Sequence, residues 1–294
     1  MHSSTSPNDV IEPIAHCRTA TVDGLKVFYR EAGSPEAPVI VLLHGFPSSS
    51  HMYRDLIPLL ADSYRVIAPD YIGFGYSDAP PVDQFDYTFD RLADVTRHLL
   101  DQLGVRQAIF YMQDYGGPVG MRLASAEPEC VQGLVFQNAN VYIEGVSQAA
   151  ADVFMPLWQD GDETGARQML LAETTRYQYT AGARDPQALC PDAWTHDQAL
   201  LDRPGNDARQ LALFKDFQTN VASYDAWHAY FRRHQPKTLV AWGKGDPFFT
   251  VAGAEGFKAD LNNVEVRLFD TGHFALEEDA RPIAQLIKRY FATA

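Results

Sequence analysis

A chain of 294 residues, 46% hydrophobic and 21% charged, has an ordinary globular composition and the length for one large domain with an insertion, or for two smaller domains. A formal net charge of -14 with no long run of Lys or Arg argues against nucleic acid and anionic membrane as partners. It leaves a small, neutral or apolar organic molecule as the expected ligand. Cys17, Cys130 and Cys190 are scattered without metal-ligand spacing, which predicts a reducing compartment and no disulfide framework. Cys130, ahead of an apolar run, reads as a buried small hydrophobe.

Residues 1–16 read as a loose tail. It lacks the basic segment and apolar stretch of a targeting signal, and no apolar run later in the chain is long enough to span a bilayer, so the cytoplasm is the expected location. Arg18 to Val22 and Leu25 to Glu31 alternate around Asp23-Gly24, the pattern of an antiparallel hairpin. Val39 to Leu43 is continuously apolar, as a strand covered on both faces should be, and His44-Gly45-Phe46-Pro47 makes a loop after it. Ser49 or Ser50 can cap a helix to about Ala61, Arg65 to Ala68 is a short strand, and Phe89, Leu92, Val95, Leu99 and Leu103 recur at helical spacing. Ala108 to Met112 and Val131 to Gln137 are further buried strands, separated by a helix that ends near Glu127.

Between 138 and 234 the alternation stops, and helical patterns carry many aromatics, among them Phe154, Trp158, Tyr177, Tyr179, Trp194, Phe214, Phe217, Tyr224 and Trp227. This is read as a helical cap, or lid, inserted after the sixth strand, with 17–137 and 235–294 forming the core domain. Strand and helix resume with Thr238 to Trp242, a helix to about Leu261, Val264 to Phe269 and a closing helix from Arg281 to Phe291. The rhythm predicts an α/β fold with a mostly parallel sheet and helices on both faces, and ligands in such sheets bind beyond the carboxyl ends of the strands. His44, Asp114, Asp246 and His273 all follow strands there.

Asp114 stands where a strand turns abruptly into a helix opened by Gly116 and Gly117. Such an elbow exposes its apex side chain, and small residues behind it let the helix come close. Alone, Asp114 reads equally well as an N-cap of the next helix. Asp246 before Pro247 suits an ordinary turn, and His273 after Gly272 a loop histidine; taken together, the four strand-end positions point to one active site. His16, His51, His98, His196, His228 and His234 show no partner spacing.

The chain resembles the α/β-hydrolase fold family, in the aspartate-nucleophile branch that contains haloalkane dehalogenases and epoxide hydrolases. The resemblance runs from about Thr21 to Ala292 and rests on H-G-F-P at 44–47, Q-D-Y-G-G at 113–117, W-G-K-G-D-P-F at 242–248 and D-T-G-H-F at 270–274. It implies Asp114 as nucleophile, His273 as base and Asp246 as the acid that orients the imidazole, with the backbone N-H groups of Phe46 and Tyr115 as oxyanion hole. A carboxylate can displace a leaving group from an sp3 carbon to form an ester, which water activated by the histidine then hydrolyses. No cofactor or metal is implied. The partners are a small organic substrate and water, and the assembly a monomer or small homo-oligomer.

The bond to be broken is less legible. Haloalkane dehalogenases usually carry Trp after the nucleophile to bind halide, whereas this chain has Tyr115, so Trp158 or another insertion residue would have to supply a donor. Epoxide hydrolases protonate the ring oxygen with cap tyrosines. Phe217-Gln218-Thr219-Asn220 resembles one such segment without the hydroxyl, leaving Tyr224, Tyr177 or Tyr179 as substitutes. Most of these aromatics read equally as packed lid core. Fluoroacetate dehalogenases place Arg where this chain has Tyr115 and Pro118. The expected pocket residues are His44, Trp158, Phe217 and Tyr224. Carbon-halogen hydrolysis ranks ahead of epoxide opening, and a ligand-binding protein on the same fold is the non-enzymatic alternative.

Overall fold

The computed structural model describes residues 14–292. Among them a single sheet has eight strands: β1 (His16–Val22), β2 (Leu25–Ala32), β3 (Val39–Leu43), β4 (Arg65–Pro69), β5 (Ala108–Gln113), β6 (Val131–Gln137), β7 (Thr238–Gly243) and β8 (Val264–Phe269), in the spatial order β1-β2-β4-β3-β5-β6-β7-β8. The first two strands run antiparallel to each other, and β2 runs antiparallel to β4; the other neighbours are parallel. Residues 1–13 of the predicted tail lie outside the described residues, and the tail's last residue, His16, already pairs with Glu31 because β1 matches nearly the full length of β2.

Strand periodicity decides what each face buries. Ile40 and Leu42 of β3 point into one core with Leu56, Ile57 and Leu60 of α1 (Leu56–Leu60), while Val41 and Leu43 point into another with Leu92 and Leu99 of α2 (Phe89–Gln102) and Val119 of α3 (Gly116–Ala126). The predicted helix from Ser49 to Ala61 is two pieces. Ser49 caps a 3-10 turn over Ser50–Tyr53, and α1 starts afresh so that Pro58 falls in its first turn, where a missing N-H has no helical partner to lose.

The stretch between β6 and β7 holds α4 (Gln148–Asp160), α5 (Thr164–Gln168), α6 (Ala172–Thr180), α7 (Asp192–Leu201), α8 (Asn206–Asp216) and α9 (Gln218–His234). Leu157, Ala166, Leu211, Phe214 and Trp227 from these helices join the same apolar cluster as Leu43 and Tyr115, so this stretch is packed onto the strand ends. The chain closes with α10 (Val251–Asp260) and α11 (Leu276–Phe291). The closing helix begins earlier than predicted and is broken at Asp279 (φ -126, ψ 31), three residues before Pro282, whose ring opposes a regular preceding turn. Cys130 is only half-buried, and its Sγ donates to Glu127 Oε2 at 3.3 Å, contrary to the buried hydrophobe expected. No helix among the described residues is long and apolar enough to cross a membrane.

Candidate active site

The β5 strand ends at Gln113, and Asp114 takes φ 49 before α3 begins. A left-handed aspartate costs about 1–3 kcal/mol, so it persists only where its surroundings hold it. Here Asp114 N-H donates to Asn138 O at 3.2 Å, and its own carbonyl accepts from Gly117 N-H at 2.9 Å. Gly116 is required behind it: a Cβ there would lie 2.0 Å from Leu43 O. The Asp114 carboxylate does not cap the helix. Its Oδ1 accepts instead from Phe46 N-H at 2.8 Å, sixty-eight positions away in sequence.

That long-range bond depends on the loop after β3. A Cβ on Gly45 would come within 2.3 Å of Asp114 Cβ, so only glycine lets the loop pass this close. His44 is fully buried, with Nδ1 donating to Gly45 O at 3.1 Å and Nε2 accepting from Tyr71 N-H at 3.2 Å. Burial pushes its pKa down to about 4, which keeps the ring neutral and preserves that acceptor.

His273, 1% exposed, donates from Nδ1 to Asp246 Oδ2 at 2.7 Å, and its Nε2 lies 3.9 Å from Asp114 Oδ2. Asp246 also accepts from Asn138 Nδ2 at 2.8 Å and from the Phe248 and Phe249 N-H groups at 2.8 and 3.1 Å. Burial opposes a charge on His273, but the Asp246 charge and hydrogen bond, helped by Asp114, carry its pKa above the ordinary value. Burial likewise lifts Asp114 above the usual carboxylate range, against the pull of His273 and the Phe46 and Tyr115 amides. Gln113 Nε2 donates to His273 Nε2 at 2.9 Å, which fits a neutral imidazole with its proton on Nδ1.

Asp114, His273, Phe46 and Tyr115 lie at one end of a cavity of about 720 Å³ whose other walls come mainly from the insertion: Phe154, Trp158, Phe214, Phe217, Val221 and Gln178 among them. A buried carboxylate, a histidine and an acid beneath a largely apolar cavity form a constellation suited to nucleophilic hydrolysis.

The pattern of the alpha/beta hydrolase fold family matches residues 38–280. The chain belongs to that family. Its relatives include the protein named Uncharacterized hydrolase YNR064C of Saccharomyces cerevisiae, 41% identical over 276 residues, covering 92% of this chain and 94% of the relative. A haloalkane dehalogenase of Mycobacterium marinum is 40% identical over 225 residues, 76% of this chain and 73% of its own. Among solved structures, the crystal structure of DBJA superposes with a TM-score of 0.80 at 25% identity, covering 94% of this chain and 97% of that one. The chain is thus an alpha/beta hydrolase related to haloalkane dehalogenases.

In this alpha/beta hydrolase, two residues expected in the pocket lie elsewhere. His44 is turned beneath the loop against Tyr71, ring centroids 4.3 Å apart, because both its nitrogens are engaged by backbone. Tyr224 is buried behind the cavity wall and donates its hydroxyl to Asn140 O at 3.3 Å. Trp158 and Phe217 do line the cavity, their rings stacked with centroids 6.1 Å apart, but the Trp158 indole N-H donates to Phe214 O at 2.8 Å and is closed to a ligand. Several histidines without visible partner spacing do have partners away from the site: His98 with Asp23 at 2.9 Å, His196 with Asp197 at 3.2 Å and His228 with Val141 O at 2.8 Å. Sequence reading gave no role to Asn138, Gln113 or Gln178. The first stands just after a strand, a weak signal; the polar position of Gln113 before Asp114 is another; Gln178 offers none.

Proposed function

We propose that the chain hydrolyses carbon-halogen bonds of small apolar molecules through an ester of Asp114, with His273 as base and Asp246 as its orienting acid. The observation that carries this reading is the division of labour between the two Asp114 oxygens. Oδ1 is held by Phe46 N-H, while Oδ2 has no hydrogen-bond donor among the described residues and is the oxygen nearer His273. Attack by Oδ2 on carbon expels halide with its bonding pair and leaves Oδ1 as the ester carbonyl, already seated on the Phe46 amide, with the Tyr115 amide also serving this carboxyl group. Water then adds to Cγ as His273 Nε2 takes its proton. The oxyanion develops on Oδ1, where the amides are in place before reaction begins. Collapse releases the alcohol and restores the Asp114 carboxylate.

Epoxide opening is the runner-up. An alkoxide needs a proton as it leaves, and the cap tyrosines offered for this are committed: Tyr179 hydroxyl donates to Asp197, Tyr224 to Asn140, and Tyr177 is half-exposed outside the cavity wall. Tyr115 does line the cavity, and its hydroxyl is buried without a partner among the described residues. Burial and the Asp114 charge push that phenol well above its ordinary pKa. It can donate a hydrogen bond to a departing halide without giving up its proton.

The test is the intact mass of a His273→Gln variant after exposure to bromoalkanes and small epoxides. An added alkyl group with bromide released is the expected result, and the adduct should be absent when Asp114→Asn is added. A mass gain equal to a whole epoxide, with no alkyl adduct, would replace this reading by the runner-up.

A further inference from the structure

Gln178 lines the cavity and is 2% exposed, yet its Nε2 has no hydrogen-bond partner among the described residues. An unpaired buried amide destabilises a fold, and the surrounding wall is apolar enough to have accepted Met or Leu there. The flanking residues fix where the amide stands. Tyr179 stacks on Phe274 with centroids 3.8 Å apart and donates its hydroxyl to Asp197, and Tyr177 meets Phe248 edge-on at 6.3 Å. Phe248 and Phe274 themselves flank His273, at 5.7 and 5.2 Å. The last turn of α6 is therefore pinned over the base, with Gln178 between the pins.

We infer that Gln178 is a leaving-group donor: its Nε2 receives the halide as the carbon-halogen bond breaks. This assignment rests on the carbon-halogen reading above. The ester carbonyl is already served by Phe46 N-H, and the Trp158 indole, a competing donor in the wall, is spent on Phe214 O. An amide N-H donates without giving up its proton, which matches an anion that departs unprotonated. As Asp114 Oδ2 forms its bond to carbon, the carbon-halogen pair leaves on the halide and Gln178 solvates it; halide and alcohol then leave separately, and the proton taken from water goes to solvent.

The experiment compares wild type with Gln178→Met and Gln178→Glu on 1-chloro-, 1-bromo- and 1-iodoalkanes of one chain length, resolving ester formation from ester hydrolysis in single turnovers. In the Met variant ester formation should fall about 10- to 100-fold for chloride, less for bromide and least for iodide, because a poorer leaving group leans more on its donor. Ester hydrolysis should not change. Bromide alone should quench tryptophan fluorescence in wild type, through Trp158 in the cavity wall, and do so more weakly in the variant. The melting temperature should hold or rise, since the variant removes an unpaired polar group. The Glu variant, facing an anion with a carboxylate, should lose more than Met. An equal loss for all three halides, slowed ester hydrolysis or a lowered melting temperature would each overturn the assignment in favour of a structural or water-binding role. Wild-type halide release with the Met variant unimpaired would overturn Gln178 alone. Failure of wild type to release any halide would overturn the carbon-halogen reading itself.

Discussion

The two walls of the cavity treat their polar groups differently. At the strand ends, Asp246 accepts from His273, Asn138, Phe248 and Phe249, and Asp114 Oδ1 accepts from Phe46. Elsewhere in the lining, Gln178 Nε2 on α6 and the Tyr115 hydroxyl are buried and unpaired amid largely apolar side chains. On the proposed mechanism the groups that must be oriented before a ligand arrives are the bonded ones, while Gln178 Nε2 and the Tyr115 hydroxyl stay open to a ligand; Gln113 Oε1 and Thr271 Oγ1, also buried and unpaired, stand at the strand ends outside that division. The contrast predicts that damage at the strand ends harms chemistry, whereas damage at the open donors harms chemistry while sparing stability.

Asp246→Asn should break the bonded wall most severely. Ester hydrolysis is expected to slow about 10³–10⁴-fold with accumulation of the Asp114 ester, read by mass after brief exposure to a bromoalkane. The pH dependence gives the sign of the effect. On the proposed mechanism hydrolysis needs neutral His273, so activity should be lost as pH falls through a His273 pKa that Asp246 raises. Removing that charge should move the acid limb of the residual activity to lower pH. A limb that stays in place would mean that another group sets it.

A slower failure of the same wall is expected in acid through His44. Its folded pKa of about 4 lies below the ordinary value of 6.5, so the unfolded chain binds the proton first. The stability it contributes is complete above pH 6.5 and is lost as pH falls toward 4, by about 3 kcal/mol in all. Urea midpoints compared between wild type and His44→Asn should converge over that interval. Parallel curves would show that His44 is not the group that titrates.

What the sequence revealed and what it hid follow the same division. Alternation in β3 and the helical spacing from Phe89 to Leu103 are local patterns, and patterns of this kind suffice for the sheet, its flanking helices and the run of helices between β6 and β7. That Asp114, Asp246 and His273 come together was legible because each stands beyond a strand, and the fold gathers strand ends. Position is not direction, however. His44 shares the loop with Phe46 but its ring is held by the Tyr71 N-H, and the Tyr224 hydroxyl by Asn140 O, outcomes set by backbone partners far away in sequence. Asn138 offered only its place just after β6, and Gln178 no local pattern at all, since its surroundings are assembled from α6 and the loops beyond the strands.

The open donors admit a finer test. Tyr115→Phe removes one buried hydroxyl that bonds to nothing among the described residues, so the melting temperature should be unchanged or slightly higher. If that hydroxyl meets the departing halide, ester formation should fall about tenfold, with chloride again more sensitive than iodide. Whether Tyr115 and Gln178 serve the same anion is then a matter of additivity. Donors on separate atoms should give losses that multiply, whereas two donors on one halide should couple, because loss of either lets the ion shift toward the other. Rates of ester formation for the two single variants and the Tyr115→Phe, Gln178→Met double variant decide it. Strict multiplication of the two losses would separate the donors and leave the halide to one of them.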